Sequence, residues 1–131
     1  MPRQHLDALQ QGYGAFNQGS LDQAKDTFAD DIEWGTTGVW PGMQEVYRGL
    51  EGLQEWADTV RGEWESFEVS LSEVLRDEED AIAVEELLRG RGRESGAEAE
   101  MRVYAVYWFD HEGRLSKRRA FTTAEDALAA L

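Results

Sequence analysis

Two neighbouring glutamates, Glu85 and Glu86, lie in an otherwise apolar segment and are candidates for acid–base chemistry. Alternation along an extended strand puts Glu86 on the same face as Ile82 and Val84. A carboxyl group among apolar neighbours is expected to have a raised pKa, which is what a general acid or base at neutral pH requires. A slip of one residue in register would exchange Glu86 with Glu85. For either residue, a solvated or dimer-facing charge is the alternative.

Arg119 is the cation expected to meet that carboxylate. Alternation with Leu115 and Phe121 on the last predicted strand points Arg119 toward the interior, where it could pair with Glu86 or hold an anionic substrate. The alternative is a surface ion pair in an acidic protein.

Tryptophans form the third group of interest, because the chain has 5 of them. Trp34, Trp40 and Trp108 are candidates for an aromatic wall around a flat or apolar ligand. Trp40 stands in a glycine-rich loop and could act as a lid. Core packing is the alternative, and it is favoured for Trp56 and Trp64, which recur at helical spacing.

Composition argues against several other kinds of site. With no cysteine and only His5 and His111 as histidines, neither a metal site nor a Ser-His-Asp arrangement is predicted. A formal net charge of −14 disfavours nucleic acid and an anionic membrane surface as partners. The arginines between positions 89 and 93 are interpreted as part of a solvated turn. The absence of a signal-peptide pattern and of a long apolar run predicts a cytoplasmic protein.

The elements that must position these residues follow from the spacing of apolar side chains. Helical spacing predicts helices over Leu6–Phe16 and Gly49–Trp64, and between them a helix from Ser20 to Asp30 and Asp31. Alternation predicts a short strand at residues 32–34, followed by four strands joined by turns. The four strands and the final helix are predicted at Phe67–Leu71, Ala81–Arg89, Met101–Phe109, Leu115–Thr122 and Thr123–Leu131.

The order of these elements indicates how they pack. Helices first and a meander of antiparallel strands afterwards indicate a single α+β domain over residues 1–131, with the helices on one face of the sheet. The strand Met101–Phe109 is apolar on both faces, which implies that both faces are covered. Because few helices remain for the second face, we expect it to meet another copy of the chain in a homodimer.

Five segments together carry a resemblance to a known family. In order and spacing the chain resembles the SnoaL-like branch of the nuclear transport factor 2-like superfamily. The resemblance implies a curved antiparallel sheet wrapped by N-terminal helices into a cone, with a hydrophobic cavity and usually a homodimer. The matching segments are Tyr13–Gly19, Leu21–Trp34, Tyr47–Trp56, Arg89–Gly96, and Asp110–Leu115 together with Arg119–Thr122.

The resemblance also suggests roles without selecting an activity. The superfamily includes ketosteroid isomerases, polyketide cyclases, dehydratases, epoxide hydrolases and members that only bind. Its isomerase-like members use a cavity carboxylate as proton shuttle and a tyrosine hydroxyl as donor, which implies these roles for Glu86 and Tyr13 without any cofactor. A packing role with a solvated hydroxyl is the alternative for Tyr13.

Three functions therefore stay open. The first is acid–base catalysis on a small, largely apolar organic molecule, by an isomerase, cyclase or hydrolase. The second is binding of such a molecule without chemistry. The third is a dimerisation module with a closed core, in which the tryptophans pack against one another and leave no cavity.

Overall fold

The computed structural model describes residues 2–18, 21, 26–36 and 44–131, and these ranges contain three helices and six strands. Trp40, Ser20 and residues 22–25 lie outside the described residues, so the predicted lid and the start of the predicted second helix lie there too. In chain order the elements are α1 Pro2–Gln18, β1 Phe28–Gly35, β2 Val46–Arg48, α2 Gly49–Glu63, β3 Trp64–Asp77, β4 Ala81–Gly92, β5 Glu98–Phe109, β6 Leu115–Phe121 and α3 Ala124–Ala129.

The six strands form one sheet in the order β2-β1-β6-β5-β4-β3. The meander β3-β4-β5-β6 is antiparallel throughout, as the sequence predicts. The α+β class is confirmed, but the sheet is mixed because β1 pairs with β6 in parallel. A parallel pair needs a long crossover connection, and here nearly the whole meander lies between the two strands in sequence. No local turn pattern therefore predicts that β1 and β6 pair.

Helices α1 and α2 cover the inner face of the sheet through the apolar stripes that their spacing predicts. On α1 the buried residues include Leu9 and Phe16, and on α2 they include Leu53 and Val60, all within one core cluster. At its first turn α1 is held by His5, whose Nδ1 lies 2.8 Å from Asp77 Oδ1 on β3. None of the described helices is both long and apolar enough to cross a membrane.

The outer face is covered at one end by the chain itself. The side chain of Thr123 caps α3 by accepting a hydrogen bond from the Asp126 amide at 3.1 Å, as the sequence predicts. Ala127 of α3 is buried in a second apolar cluster that includes Ala83 and Val106 of the sheet. Part of the face expected to meet a second copy is therefore occupied by the last helix.

The predicted end of the second helix is wrong. Phe28 begins β1 rather than ending a helix, and Asp30 and Asp31 lie exposed within the strand. The register of β1 against β6 is irregular between Phe28 and Glu33, which lets two consecutive side chains face solvent in one strand. Two adjacent polar residues break the alternation expected of a strand, so Asp30 and Asp31 were interpreted as the end of a helix. The bulge that accommodates them cannot be predicted from local spacing.

The predicted turn from Asp110 to Gly113 is found between β5 and β6. Asp110 Oδ1 accepts hydrogen bonds from the Glu112 and Arg114 amides, both at 2.9 Å. Gly113 has a φ of 82°, a left-handed conformation that favours glycine. The strands of the other hairpins run further than predicted, since β3 continues to Asp77 and β4 to Gly92.

Candidate functional site

Four polar side chains from four elements meet in the space between α1 and the sheet. The Tyr13 hydroxyl on α1 donates a hydrogen bond to Glu86 Oε2 on β4 at 2.6 Å, and the Tyr107 hydroxyl on β5 donates to the same oxygen. Arg118 on β6 donates through Nη2 to Glu86 Oε1 at 2.8 Å. Through Nε it also donates to the Tyr107 hydroxyl at 3.1 Å. We call these four residues the Glu86 cluster.

The strand register explains why these side chains converge. Tyr107 and Arg118 are register partners on β5 and β6, so their side chains lie beside each other on one face. Glu86 is paired with Val103, which alternation places on the same face of β5 as Tyr107. Tyr13 belongs to the buried stripe of α1, the layer that covers this face.

The Arg118 guanidinium is fixed on its far side by β1. Its Nη1 donates to the carbonyl oxygen of Gly35 at 2.7 Å, and its Cζ lies 4.6 Å from the ring centroid of Trp34. A Cβ atom at Gly35 would lie 2.7 Å from the Arg118 carbonyl oxygen. Glycine at this position therefore permits the close approach of β1 and β6 that holds the guanidinium.

Burial controls the protonation of the hydroxyl groups in the cluster. The pKa of Tyr13 lies well above its ordinary value, first because the hydroxyl is buried and second because Glu86 repels a phenolate charge. Burial and then Glu86 raise the pKa of Tyr107 in the same way. Both tyrosines therefore remain hydroxyl donors at neutral pH.

Arg118 is subject to two opposed effects. Burial of its guanidinium lowers the pKa, but the interactions of the guanidinium with Tyr107 and Glu86, which include a hydrogen bond to each, outweigh burial, so the pKa of Arg118 is raised. The arginine therefore stays a cation inside the protein and compensates the charge of Glu86.

Glu86 faces inward as predicted, but its surroundings are more polar than predicted. The residue has 0% exposure, and three hydrogen-bond donors reach its carboxylate. A buried ion pair is tolerated when such donors satisfy its oxygens, since desolvation otherwise exceeds the Coulombic gain. Glu85 lies on the opposite face, where its carboxylate accepts from Ser72 at 2.7 Å and from Arg102 at 2.9 Å.

A small cavity adjoins the Glu86 cluster. Its volume is about 30 Å³, which corresponds to about one water molecule. Trp34 and Trp56 contribute to its wall, with ring centroids 4.9 Å apart. The lining residues are Leu9, Gly12, Tyr13, Phe16, Leu21, Phe28, Trp34, Leu53, Trp56, Val69, Glu86, Leu88, Tyr107, Leu115 and Arg118.

A larger open groove of about 820 Å³ lies next to this cavity. It runs between the ends of α1 and α2 and the adjoining ends of β3, β4 and β5. Phe16 lines both spaces, with its ring centroid 4.8 Å from that of Trp56 and 5.7 Å from that of Phe67. The side chain of Phe16 therefore forms part of the wall between the groove and the cavity.

The structure brings together three of the six candidate site residues. Tyr13 and Glu86 are hydrogen-bonded, and Trp34 lines the same cavity. Trp108 lies on the outer face, packed against the second apolar cluster with Lys117 Nζ 5.2 Å from its ring centroid. Trp40 is outside the described residues.

Arg119 is the sixth candidate, and its predicted orientation is wrong. It is exposed, with its Cζ 5.2 Å from the ring centroid of Phe121, and Arg118 makes the expected ion pair instead. The cause is a register irregularity, because Phe109 pairs with Leu115 while Trp108 pairs with Lys117. One extra residue in β6 reverses the alternation after Leu115, which is itself buried.

Two residues of the cluster, Tyr107 and Arg118, are missed by sequence reasoning. Tyr107 alternates with Val103 and Ala105 on one face of the predicted strand, and its hydroxyl on that apolar face was an available signal, but Trp108 on the opposite face was predicted to line the pocket instead. No comparable signal identifies Arg118, because its orientation depends on the bulge.

Comparison with known proteins adds a family and a fold. A family model described as SnoaL-like domain matches residues 9–118, a range that contains the whole Glu86 cluster. No curated protein sequence matches the chain.

Solved structures resemble the protein over almost its full length. TerC, crystallised with polyporic acid, is 15% identical and the match covers 98% of this chain and 97% of TerC, with a TM-score of 0.79. RV0760c from Mycobacterium tuberculosis, in complex with estradiol-17beta-hemisuccinate, is 19% identical with coverages of 93% and 95% and a TM-score of 0.74. SalBIII, an epoxide hydrolase/cyclase-like enzyme in pyran ring formation of salinomycin, is 12% identical with coverages of 95% and 94% and a TM-score of 0.75. At these identities the likeness establishes the fold alone.

Proposed function

The chain belongs to the family of SnoaL-like domains, and from that premise we propose that its inner cavity binds a small, largely apolar organic molecule and exchanges a proton with it. The observation that carries this proposal is a fully buried carboxylate, Glu86, at the wall of an otherwise largely apolar cavity. A carboxylate that is only structural needs no apolar space beside it. Buried titratable groups next to such a space are candidates for function.

Glu86 is the proton acceptor in the proposed reaction. Its carboxylate takes a proton from a carbon next to a ligand carbonyl, and the electron pair of the C–H bond moves toward the carbonyl oxygen. The Tyr13 hydroxyl stays protonated and donates to Glu86 before the reaction. Once Glu86 has taken the proton and lost its charge, we propose that this hydroxyl turns to the ligand oxygen and donates to it as its charge grows. Return of the proton to the same or another carbon completes exchange or isomerisation, and no cofactor is needed.

Tyr107 and Arg118 support this chemistry by positioning Glu86. Each holds the carboxylate by a hydrogen bond, and the Arg118 cation compensates its charge. Residues locked by such supporting contacts keep a reactive group in its productive geometry.

The proposal requires the cavity to widen, because about 30 Å³ is too small for an organic ligand. Phe16 lines both this cavity and the open groove, and we propose that a movement of its ring connects the two spaces when a ligand enters. The structural relatives support a ligand of this type, since two of them were crystallised with small organic molecules.

The observation that favours the second candidate, a domain without chemistry, is the contact between Trp34 and Trp56 beside so small a cavity. A closed core of this kind suits a dimerisation module or a binding protein. We propose in addition that residues 1–131 form one SnoaL-like domain and that two copies associate through the outer face of the sheet.

Exchange of the α-protons of 1-indanone in D2O, followed by proton NMR, tests the catalytic proposal. We expect the protein to accelerate exchange, and Glu86→Gln to lower the catalysed rate by about a hundredfold or more, the usual contribution of a general base. Glu85→Gln is the matched control, because this neighbouring carboxylate lies on the outer face and its loss should leave the rate unchanged.

The result separates the three functions. Equal rates for the protein and Glu86→Gln, with both folded by circular dichroism, would remove Glu86 from the chemistry. Binding of 1-indanone without accelerated exchange would favour a binding protein. Absence of both would favour the closed dimerisation module.

A further inference from the structure

The indole N–H of Trp34 is a buried donor without an acceptor. Trp34 is 8% exposed, and its Nε1 is the single buried side-chain nitrogen or oxygen without a hydrogen-bond partner among the residues that the structure describes. Buried indole N–H groups normally find a partner, because an unmade hydrogen bond in a low-dielectric interior is costly. An exception at the wall of a cavity calls for a physical reason.

The polar groups around Trp34 do not supply the missing acceptor. Glu86 receives three donors, Tyr13 and Tyr107 both donate to it, and Arg118 is shared between Glu86, Tyr107 and the Gly35 carbonyl. The residues of the Glu86 cluster therefore satisfy one another's hydrogen bonds, and none of them accepts from the indole N–H of Trp34. Because Trp34 lines the cavity, a molecule in the cavity is the available source of an acceptor. The present volume accommodates about one water, and a ligand that widens the cavity would supply the acceptor in its place.

The charge of the site indicates what kind of molecule this is. Glu86 and Arg118 form a compensated ion pair, and no further cation or carboxylate lines the cavity in the described part of the chain. A charged ligand would lose its hydration without meeting a free counter-charge. The surrounding walls are aromatic and aliphatic, with the ring of Trp34 in contact with the rings of Trp56 and Tyr107.

We propose that Trp34 Nε1 donates a hydrogen bond to an oxygen of the ligand, so that the site selects an uncharged, flat organic molecule with a carbonyl or ether oxygen. An indole N–H donates and cannot accept, so it distinguishes a molecule with such an oxygen from its hydrocarbon counterpart. This selectivity rests on the proposed binding function, but it does not depend on catalysis.

The test compares two probes of nearly equal shape, 1-indanone and indane, which differ by one carbonyl oxygen. Protein with nitrogen-15 in its tryptophan indoles is titrated with each probe, and the Trp34 signal is assigned through its contact with the Tyr107 ring, 6.0 Å between centroids. We expect 1-indanone to bind about tenfold more tightly than indane, the size of one additional hydrogen bond. Its binding should also move the Trp34 indole proton downfield.

Two variants locate the selectivity. Trp34→Phe keeps an aromatic ring and removes the N–H, so the preference for 1-indanone should fall to near unity. Trp56→Phe is the matched control, since Trp56 also lines the cavity and Trp34 stays intact. The preference should persist in this variant.

The outcomes distinguish a failure of the proposed role of Trp34 from a failure of the proposed binding function. Equal affinity for both probes, or binding of 1-indanone without a shift of the Trp34 indole proton, would overturn the role of Trp34 while leaving the binding function in place. If neither probe binds, the proposed binding function falls, and the role of Trp34 falls with it. The shift in the unaltered protein decides the matter even if Trp34→Phe does not fold.

Discussion

At the scale of single residues, Arg118 and Arg119 are adjacent and chemically identical but have different surroundings. Arg118 is 6% exposed and bonded to Glu86, Tyr107 and the Gly35 carbonyl, whereas Arg119 is exposed. Surface arginines contribute little to stability, because water competes for them. A buried charge that loses its partner is strongly destabilised.

Substitution of the two arginines by methionine should therefore have very different effects. Arg118→Met leaves the Glu86 carboxylate buried without a counter-charge, and we expect it to lower the free energy of unfolding by about 3–5 kcal/mol. Arg119→Met, the matched control, should change it by less than about 0.5 kcal/mol. Urea denaturation measures both.

A double substitution checks the cause. Adding Glu86→Gln to Arg118→Met removes the stranded charge, and the amide oxygen can still accept from the two tyrosine hydroxyls, so much of the lost stability should return. Similar losses for the two single variants would contradict the orientation of β6.

The residues of the site differ in how far the sequence determines them. Glu86 was identified from the apolar residues Ile82 and Val84, which share its face of β4, but the choice between Glu86 and Glu85 stayed open because it depends on the strand register. Tyr13 was located only through the family resemblance. Arg118 was not predictable, because one additional residue in β6 reverses the alternation and leaves no mark in local composition.

At the scale of elements, the edge of the sheet is closed by a side chain. β3 is the last strand in the sheet order, so part of its backbone has no neighbouring strand. Asn17, in the last turn of α1, donates to the Val69 carbonyl and accepts from the Val69 amide, both at 2.9 Å. This pair of bonds imitates the pairing of one strand residue and joins α1 to the edge.

Removal of the Asn17 amide should open this edge locally. Asn17→Leu leaves the Val69 N–H without its acceptor, and we expect that amide to exchange with D2O at least about tenfold faster, as the loss of a bond of about 1.4 kcal/mol implies. Hydrogen exchange by NMR measures the rate.

Asn17→Asp is the matched control for this experiment. Its carboxylate can still accept from the Val69 amide, so protection of that amide should remain although the bond to the Val69 carbonyl is lost. Unchanged exchange in Asn17→Leu would show that the edge is protected by packing rather than by this side chain.

The elements themselves were predictable where their signals are local. The stripes of α1 and α2, the four-strand meander and the Thr123 cap all follow from spacing and capping chemistry. β1 was mistaken in part for a helix because Asp30 and Asp31 resemble a helix end. Its parallel partner β6 lies far away in sequence, and such a pairing depends on the completed fold.

At the scale of the whole molecule, the outer face of the sheet combines an apolar end with a charged end. α3 covers the apolar end, while ion pairs between arginines and glutamates cross the strands at the other. The pairs are Arg89 with Glu100, Arg91 with Glu98, and Arg102 with the half-buried Glu85. A two-fold related copy would bring the same pattern of alternating charges opposite itself.

The proposed dimer should form more readily as salt is added. Each copy has a formal net charge of −14, so at low ionic strength two copies repel one another over a long range. Raising salt from about 10 mM to about 150 mM shortens the screening length from about 30 Å to about 8 Å, and we expect sedimentation equilibrium to show tighter association.

Charge reversal tests which part of the outer face is used. Arg102→Glu on the inner strand β5 should weaken association, whereas Arg48→Glu, which makes the same change of charge on the edge strand β2, should not. A protein that sediments as a monomer at micromolar concentration in all of these salts would exclude the dimer.

The α+β class of the molecule was predictable from the order of its elements, but the size of its cavity was not. A volume of about 30 Å³ depends on how Phe16, Trp34 and Trp56 pack against one another. That packing depends on the rotamers that the side chains adopt in the folded core, and the spacing of residues in the sequence does not predict those rotamers.

The doubled charges on β4 and β6 have a consequence for how the chain folds. Glu86 follows Glu85 on β4, and Arg118 stands between Lys117 and Arg119 on β6, with β5 between the two strands. A slip of one residue of β4 or of β6 against β5 therefore still brings an acid to a base. The charge pairing therefore does not distinguish the correct strand register from one that is shifted by one residue. Discrimination falls to the flanking hydrocarbon side chains of Ile82 and Val84, which the wrong alignment would turn out of the main core and into the space under α3 that the small residues Ala81 and Ala83 now occupy.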